Sequence, residues 1–367
     1  MTPHQKKVVD LFKEVGNKSE VARRLGLHES TVRQILLRAH QDPGITQALE
    51  RTGISPENAT HGWRRVQDPD TGSWDSVFWK APKFAETFIE QLRDAFESID
   101  RAEAIEPPET VIADLCTVYP LMDVHFGMLA DRDETGAVDY DIKRATEDMR
   151  LAFAKIGALT PRSAKAILIV GGDFFHANDQ TNVTPAHKHP LDTDTRHWKV
   201  LQAGVNFLAE VIETIAGKHS AVSVRVLRGN HDPEAHKVLT FAMAQRYAGS
   251  VHVRIDEDPR DLFMAQWGRC LISAHHGDKA PPERLTLYLS DVCPYWSETR
   301  HRYCFTGHVH KDQSRDVGPL RWESLRAFAP PDAYAAGMGY AGRRAMQALT
   351  FHRRDGLVLR AIDPIER

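Results

Sequence analysis

Four consecutive residues, Gly229-Asn230-His231-Asp232, place side chains that could do chemistry at one point of the chain. Asn230 offers a neutral oxygen that can bind a hard or borderline metal ion, and His231 offers a proton donor beside it. Asp232 adds a carboxylate that could orient this imidazole, and Gly229 permits a tight turn that a larger residue would strain. The alternative is a plain turn in which the Asn and Asp side chains cap the backbone.

Four other short clusters of Asp, His and Gly occur along the chain, and each follows an apolar run. They are Asp123-Val124-His125, Gly171-Gly172-Asp173-Phe174-Phe175-His176, Ala274-His275-His276-Gly277-Asp278 and Gly307-His308-Val309-His310. Because an α/β fold presents ligands at the carboxyl ends of its strands, we expect the five clusters to converge.

The elements that position these clusters can be predicted from apolar periodicity. Short apolar runs at 115–122, 166–170, 221–227, 270–273 and 303–306 predict strands. Helical spacing of apolar residues predicts helices over 141–159 and 199–216, and the tail at 346–361 predicts a closing hairpin. This alternation of strands and helices indicates an α/β fold from about residue 111 onwards.

Composition sets the outer limits. The 367 residues, 42% of them hydrophobic and 26% charged, suit a soluble protein with two domains or one large domain with an appendage. The formal net charge of -3 gives no general attraction to nucleic acid, so any such contact must be local. The four cysteines lack zinc-ribbon spacing, and no apolar run could span a bilayer. With no signal-peptide core at the N-terminus, we expect a cytoplasmic protein without a membrane partner.

Residues 1–45 predict a small all-α domain. Val21-Ala22-Arg23-Arg24-Leu25, the Gly26-Leu27 turn and the apolar residues of 31–36 resemble a helix-turn-helix unit of the resolvase or sigma-factor kind. The resemblance implies that a DNA major groove is contacted by Ser30, Thr31, Arg33, Gln34 and Arg38. The alternative is a helical bundle for protein contact, because basic residues only modestly outnumber acidic ones here.

Residues 46–110 predict a connecting region. Runs at 62–66 and 74–79 flank Asp68-Pro69-Asp70-Thr71-Gly72 and predict a β-hairpin. The three tryptophans of these runs favour a hairpin core over a base-stacking surface. Residues 84–105 have the spacing of an amphipathic helix, and Pro107-Pro108 ends the region before the main domain at 111–367.

The motifs Asp-x-His, Gly-Asp, Gly-Asn-His-Asp, His and Gly-His-x-His, in this order over residues 111–367, resemble the calcineurin-like metallophosphoesterase superfamily. The resemblance implies a four-layer α/β/β/α sandwich with a two-metal site at the strand ends. Such chemistry suits a phosphate ester, because two cations about 3.5–4 Å apart can hold its oxygens and activate a bridging water.

The family's pattern also implies roles for single residues. The implied ligands are Asp123, His125 and His310 for one metal, Asn230, His276 and His308 for the other, and Asp173 as the bridge. His231 would act as general acid or stabilise the phosphoryl oxygen, with Asp232 in support. His275 is an alternative to His276, but the family usually places its ligand directly before Gly. We expect Mn as the metal, with Fe or Zn as alternatives.

His176 stands where many members of the superfamily carry Asp. This variant resembles the family's DNA double-strand-break repair nucleases, in which the His lies beside the substrate phosphate. The alternative is a His packed under its loop. The sequence therefore predicts a two-metal phosphodiesterase acting on DNA. The other hypotheses are a phosphoesterase for a small nucleotide, with an N-terminal protein-contact module, and a DNA-binding regulator with an inactive phosphoesterase scaffold.

Overall fold

A computed structural model of the chain describes residues 3–15, 18–27, 31–32, 61–67, 74–80, 101–103 and 105–365. The chain divides into two compact units, Met1–Asp94 and Ala95–Arg367. The predicted three-part division at residues 45 and 110 stays a prediction. Across the described ranges, no helix has the length and apolar character needed to cross a membrane.

The first unit contains a small helical core and a hairpin. Its described elements are α1 (Pro3–Val15), α2 (Lys18–Leu25), β1 (His61–Gln67) and β2 (Trp74–Lys80). Val8 of α1 and Val21 and Ala22 of α2 bury their side chains together with Val32, which is also helical. The strands β1 and β2 pair antiparallel along their whole length, so the predicted hairpin is confirmed.

Most residues that the sequence assigns to DNA contact cannot be placed. Thr31 is exposed, whereas the other four, Ser30, Arg33, Gln34 and Arg38, lie outside the described residues. A small apolar core between helices suits a protein-contact bundle as well as a helix-turn-helix, so the DNA contact stays a prediction.

The prediction that the helix over 84–105 extends to residue 105 is wrong. Its greater part lies outside the described residues, but 101–103 and Ile105 are not helical. The amide of Ala102 donates to the carbonyl of Arg246 at 2.8 Å, and Ile105 packs against the main core. Because these contacts replace the helical hydrogen bonds, the segment is held in a non-helical conformation by tertiary contacts.

The second unit alternates strands and helices, which confirms the α/β class. Its helices are α3 (Arg132–Thr135), α4 (Ile142–Leu159), α5 (His197–Ala216), α6 (Ala235–Arg246), α7 (Pro282–Val292) and α8 (Ala333–Gly337). Its strands are β3 (Ile112–Leu121), β4 (Ser163–Val170), β5 (Ala221–Val226), β6 (Val253–Asp256), β7 (Leu262–Trp267), β8 (Cys270–His275), β9 (His301–Thr306), β10 (Gln313–Val317), β11 (Leu320–Ser324), β12 (Ala345–His352) and β13 (Gly356–Pro364). All the strands and helices predicted from residue 111 onwards are present.

These strands form two sheets in the described part of the unit. The larger has the order β13-β12-β3-β4-β5-β6, and the smaller has the order β10-β11-β9-β8-β7. Within them β3, β4 and β5 are parallel neighbours, as are β8 and β9. The carboxyl ends of each set therefore lie at one edge of their sheet. The predicted clusters at Gly171 and Gly307 begin directly after a strand, those at Asp123 and Gly229 begin two or three residues after one, and that at Ala274 begins within β8.

The strand β4 shows why its run is apolar throughout. Ala166, Leu168 and Val170 pack in the cluster that contains the inner faces of α4, α5 and α6. Ile167 and Ile169 point the other way and share a second cluster with residues of the smaller sheet. Since side chains alternate along a strand, burial on both faces requires a continuous apolar sequence. A third cluster joins the smaller sheet to α7.

Candidate metal centre

The strand ends bring the predicted donors together. Two groups of three form, each with ligand atoms within 4.8 Å of one another: Asp123, His125 and His310, and Asp173, His276 and His308. Asn230 joins the second group, because its Oδ1 lies 3.0 Å from Nε2 of His276. Every residue that the family's pattern implies as a metal ligand therefore lies in one of the two groups, and either group could bind a divalent cation.

The first group is built around Asp123, which is fully buried. Its two carboxylate oxygens accept a hydrogen bond from the amide of His308, each at 3.0 Å. His310 Nε2 lies 3.5 Å from Asp123 Oδ1 and 3.3 Å from His125 Nε2. Burial lowers the pKa of His125, which keeps this imidazole in the neutral form that binds metals.

The second group is built around Asp173 and His276, both almost fully buried. Nδ1 of His276 donates to the carbonyl of Gly171 at 3.1 Å, which leaves Nε2 facing Asp173 Oδ2 at 3.3 Å. Burial alone would lower the pKa of His276, but the charge and hydrogen bond of Asp173 raise it to about 10. Because a metal binds only the deprotonated nitrogen, metal binding at Nε2 would release a proton.

Of the two adjacent histidines at the end of β8, only His276 enters the donor groups. His275 points to the opposite side, where its Nδ1 accepts a hydrogen bond from the amide of Gly277 at 2.9 Å. This difference follows from the alternation of side chains along a strand.

The donors share an unusual backbone conformation. Five of them have positive φ angles: Asp123 at 49°, His125 at 46°, Asp173 at 48°, His308 at 67° and His310 at 55°. Non-glycine residues seldom adopt this conformation, and each instance costs on the order of 1–3 kcal/mol. Backbone contacts between the loops hold it in place, such as the 2.9 Å hydrogen bond from the amide of His125 to the carbonyl of Asp173. Strain gathered at the donors indicates a functional site.

Two glycines allow the loops to approach the carboxylates. A Cβ on Gly307 would overlap the carboxylate of Asp123, and a Cβ on Gly229 would overlap that of Asp173. A larger residue at Gly229 would be strained, as the sequence predicts, but not because of the backbone angles, since Gly229 does not have a positive φ. The requirement is space beside Asp173.

The predicted pairing of Asp232 with His231 is also wrong. Asp232 is fully buried, and its two oxygens accept from the amides of Gly229 at 2.8 Å and Phe175 at 3.1 Å. It therefore ties two loops together, while Nδ1 of His231 lies 2.8 Å from the carbonyl oxygen of His176. Burial and the nearby charge of Asp173 raise the pKa of Asp232 to about 6.

His176 lies beneath these loops. Its side chain is 1% exposed, its Nδ1 lies 3.3 Å from Nδ1 of His125, and burial lowers its pKa to about 3. This position favours the alternative in which His176 packs under its loop over direct contact with a phosphate. His125, His176 and His231 also bring one nitrogen each within 4.8 Å of one another.

A cavity of about 610 Å³ adjoins the second group, between the loop 277–282 and the strands β10 and β11. Gln313, Arg315 and Trp322 are among its lining residues. Nothing in the local sequence marks these residues, because they come together only when β10 folds back towards α7.

No protein-family model matches this chain, and no curated protein matches it in sequence. It is similar in part to a structure from Streptococcus pneumoniae described as a predicted phosphoesterase, at 12% identity and a TM-score of 0.27, over 68% of this chain and 98% of that one. The zinc complex of Vps29 from Entamoeba histolytica gives 12% identity and a TM-score of 0.29, over 68% and 99%. A structure described as a novel archaeal phosphodiesterase gives 12% and 0.32, over 67% and 99%. Scores this low do not establish an activity, which has to be inferred from the site itself.

Proposed function

We propose that this chain is a two-metal-dependent phosphoesterase of the calcineurin-like kind that cleaves phosphodiester bonds in DNA. The observation that carries the proposal is the convergence, at the ends of five strands, of two donor groups that are each centred on a buried carboxylate, Asp123 or Asp173. We also propose the four-layer α/β/β/α arrangement, because the three apolar clusters fill the three spaces between such layers.

The donor types fit a pair of divalent cations. Each group combines imidazole nitrogens with a carboxylate, and the second adds the amide oxygen of Asn230, a set that suits Mn, Fe or Zn. We propose Asp123, His125 and His310 as ligands of one ion and Asn230, His276 and His308 as ligands of the other, with Asp173 between them. When bound, such ions supply a nucleophile at neutral pH and neutralise charge on the phosphate.

The protein's own contribution to the reaction centres on His231. A carbonyl oxygen can only accept, so Nδ1 of His231 must donate to the carbonyl of His176, and Nε2 is left for the substrate. When protonated, Nε2 can donate a hydrogen bond to a phosphoryl oxygen or a proton to the leaving oxygen. Asp232 and His176 act as positioning residues for the loop that carries His231.

A small nucleotide is the second candidate substrate. The cavity of about 610 Å³ beside the second group lies within the range of about 300–1,000 Å³ that is usual for small-ligand sites. A nucleoside attached to the reacting phosphate could occupy it.

Metal analysis paired with a substrate panel tests the proposal. We expect purified protein to bind two divalent ions and, with Mn, to hydrolyse bis-p-nitrophenyl phosphate and DNA. Asp173→Asn should lose metal and activity, whereas Asp192→Asn, a matched change at an exposed carboxylate, should retain both. Intact DNA with consumption of a nucleotide substrate would select the small-nucleotide function. Metal-loaded protein that shifts DNA in a gel but hydrolyses nothing would select a regulator.

The N-terminal helices are proposed to bring the enzyme to DNA. Arg33→Ala and Gln34→Ala should weaken duplex binding, and Arg33→Ala should also reduce its salt dependence by about one phosphate contact. An unchanged duplex affinity in both variants would assign this unit to protein contact instead.

A further inference from the structure

Exposed aromatic rings border the candidate metal centre on the side of His310. Tyr334 and Tyr340 are 56% and 54% exposed. Both tyrosines lie in the segment 329–342. It starts beside the centre, where the amide of Ala329 donates to the carbonyl of Asp123 at 3.1 Å. It returns there at Gly342, where an added Cβ would lie 3.4 Å from the carbonyl oxygen of His310. Both ends of the segment are therefore held against the first donor group.

The loop 177–196 adds two more rings. The ring centroids of His189 and Tyr334 lie 5.4 Å apart with an interplanar angle of 34°, and those of His187 and His189 lie 5.9 Å apart. The loop begins directly after His176, and at its far end the ring of His197 lies 3.3 Å from the carbonyl oxygen of Ala177. We call His187, His189, Tyr334 and Tyr340 the aromatic platform.

Cations accompany the platform. Lys188, Lys311 and Arg343 are exposed and form no ion pair within the described part of the chain. Lys311 Nζ lies 5.8 Å from the centre of the Tyr340 ring, directly after His310 in sequence. The nearby carboxylate of Asp332 is occupied, because it caps α8 by accepting from the amide of Ala335 at 2.7 Å.

The opposite side of the centre, next to His276, has a different charge arrangement. Three of its cations are paired: Arg228 with Asp278 at 3.0 Å, Lys279 with Asp261 at 2.8 Å and Arg315 with Glu283 at 2.8 Å. On the side of His310, by contrast, the three cations Lys188, Lys311 and Arg343 accompany the exposed rings without an ion pair in the described part of the chain, so a polyanion is complemented there. The exposed carboxylates of Asp133 and Glu134 lie on α3, which contacts α8. Their negative charge would repel a polyanion at this edge of the platform.

We propose that the aromatic platform binds single-stranded DNA and leads it to the metal centre, an inference that rests on the proposed phosphodiesterase function. Unpaired bases stack on exposed rings whatever their sequence, and Lys and Arg side chains neutralise the phosphates between them. A duplex keeps its bases stacked inside, so it cannot use the rings. The platform thus specifies a strand end or an unpaired segment as the substrate.

Binding of a labelled thymidine oligonucleotide, measured by fluorescence anisotropy in EDTA to prevent cleavage, tests the platform. The double variant Tyr334→Ala/Tyr340→Ala should bind the single strand at least about tenfold more weakly, because each stacked base adds substantially to affinity. Its affinity for a duplex of the same length should not change. Tyr288→Ala is the matched control, because Tyr288 on α7 is 51% exposed and lies outside the platform.

The contribution of Lys311 to phosphate binding is tested separately. Lys311→Ala should reduce the slope of log affinity against log salt by about 0.7, the value for one phosphate contact on a single strand. Lys143→Ala, at an exposed position on α4, should leave the slope unchanged.

Unchanged single-strand affinity in the tyrosine double variant, or equal weakening for single strand and duplex, would overturn the platform proposal. A failure of the proposed function has a different signature: the wild-type protein would then not hydrolyse bis-p-nitrophenyl phosphate, whatever it binds.

Discussion

The Nδ1 atom of His231 lies 2.8 Å from the main-chain oxygen of His176. This contact fixes which nitrogen carries the proton in the neutral imidazole, because a carbonyl oxygen can only accept. It also makes the orientation of His231 depend on the loop after β4 rather than on its sequence neighbour Asp232. The catalytic nitrogen and the proposed bridging carboxylate of Asp173 are thus positioned by one loop.

Replacing His231 should separate catalysis from metal binding. In His231→Gln we expect kcat for bis-p-nitrophenyl phosphate to fall by about 10²–10⁴-fold, the usual contribution of a positioned acid or base. Metal content should stay at the wild-type level, since the two donor groups are complete without His231. Steady-state kinetics and elemental analysis of the same sample check both expectations.

The matched control is His352→Gln at the far end of β12, where the imidazole pairs with Asp355. This variant should keep full activity. Loss of metal in His231→Gln would contradict the assigned role and make His231 a ligand.

Asp232 should prove to be a structural residue. Asp232→Ala leaves the buried amides of Gly229 and Phe175 without their acceptor. Each unsatisfied group costs on the order of 1–3 kcal/mol. We therefore expect the free energy of unfolding, measured in urea, to fall by about 2–6 kcal/mol. Asp232→Asn retains one acceptor oxygen and should lose less. Wild-type stability combined with lost activity in Asp232→Ala would instead support the original expectation that Asp232 serves His231 directly.

Gly307 should tolerate no side chain, although its backbone angles would accept one. A Cβ at this position would overlap the carboxylate of Asp123, so Gly307→Ala must displace the first donor group. We expect the variant to lose at least one metal ion per chain and nearly all hydrolysis. Gly337→Ala is the matched control, because a Cβ there meets nothing within 4 Å. Equal metal content in the two variants would contradict this expectation and show that the loop after β9 can shift to accommodate the added methyl group.

The donors could be predicted from the sequence because each depends on a local pattern. Asp173 follows an apolar run with two glycines between, and the parallel neighbours β3 and β5 carry their own donors at the same edge. Strand, turn and ligand type can therefore all be read within about ten residues. The alternation of a strand indicated that His275 and His276 point to opposite faces, and the family's usual placement of a ligand directly before Gly favoured His276.

The remaining features depend on contacts that sequence does not mark. The acceptor for His231 is a carbonyl 55 residues away, a group that every residue carries. The crowding at Gly229 depends on how closely Asp173 approaches from another loop. Likewise, the apolar spacing of 84–105 continues past the point where Ala102 meets Arg246. In each case a contact between residues far apart in sequence determines a local feature: a hydrogen-bond partner, a steric restriction or the end of a helix.

A buried histidine far from the donors should give the protein a defined acid sensitivity. His219 has no exposed surface, with Nε2 2.8 Å from the hydroxyl of Tyr119 and Nδ1 accepting from the amide of Ser163 at 3.1 Å. Burial lowers its pKa from 6.5 to about 4, and the carbonyl oxygen of Ser163, 3.3 Å from Nδ1, opposes the shift because it can accept a hydrogen bond only from the protonated ring. Above pH 6.5 the imidazole is neutral in both the folded and the unfolded chain, so it carries no penalty. Between 6.5 and about 4 only the unfolded chain binds the proton, and stability falls as the pH falls.

Urea unfolding of His219→Gln across this pH range isolates the effect. The wild type should lose up to about 3 kcal/mol more than the variant between pH 6.5 and 4, since each pKa unit corresponds to about 1.4 kcal/mol. His352→Gln, which changes a partly exposed histidine, should follow the wild-type curve. If His219→Gln showed the same pH dependence as the wild type, His219 would have to be protonated in the folded protein. The hydrogen bond from Ser163 to Nδ1 would then be absent, because a protonated imidazole has no acceptor nitrogen.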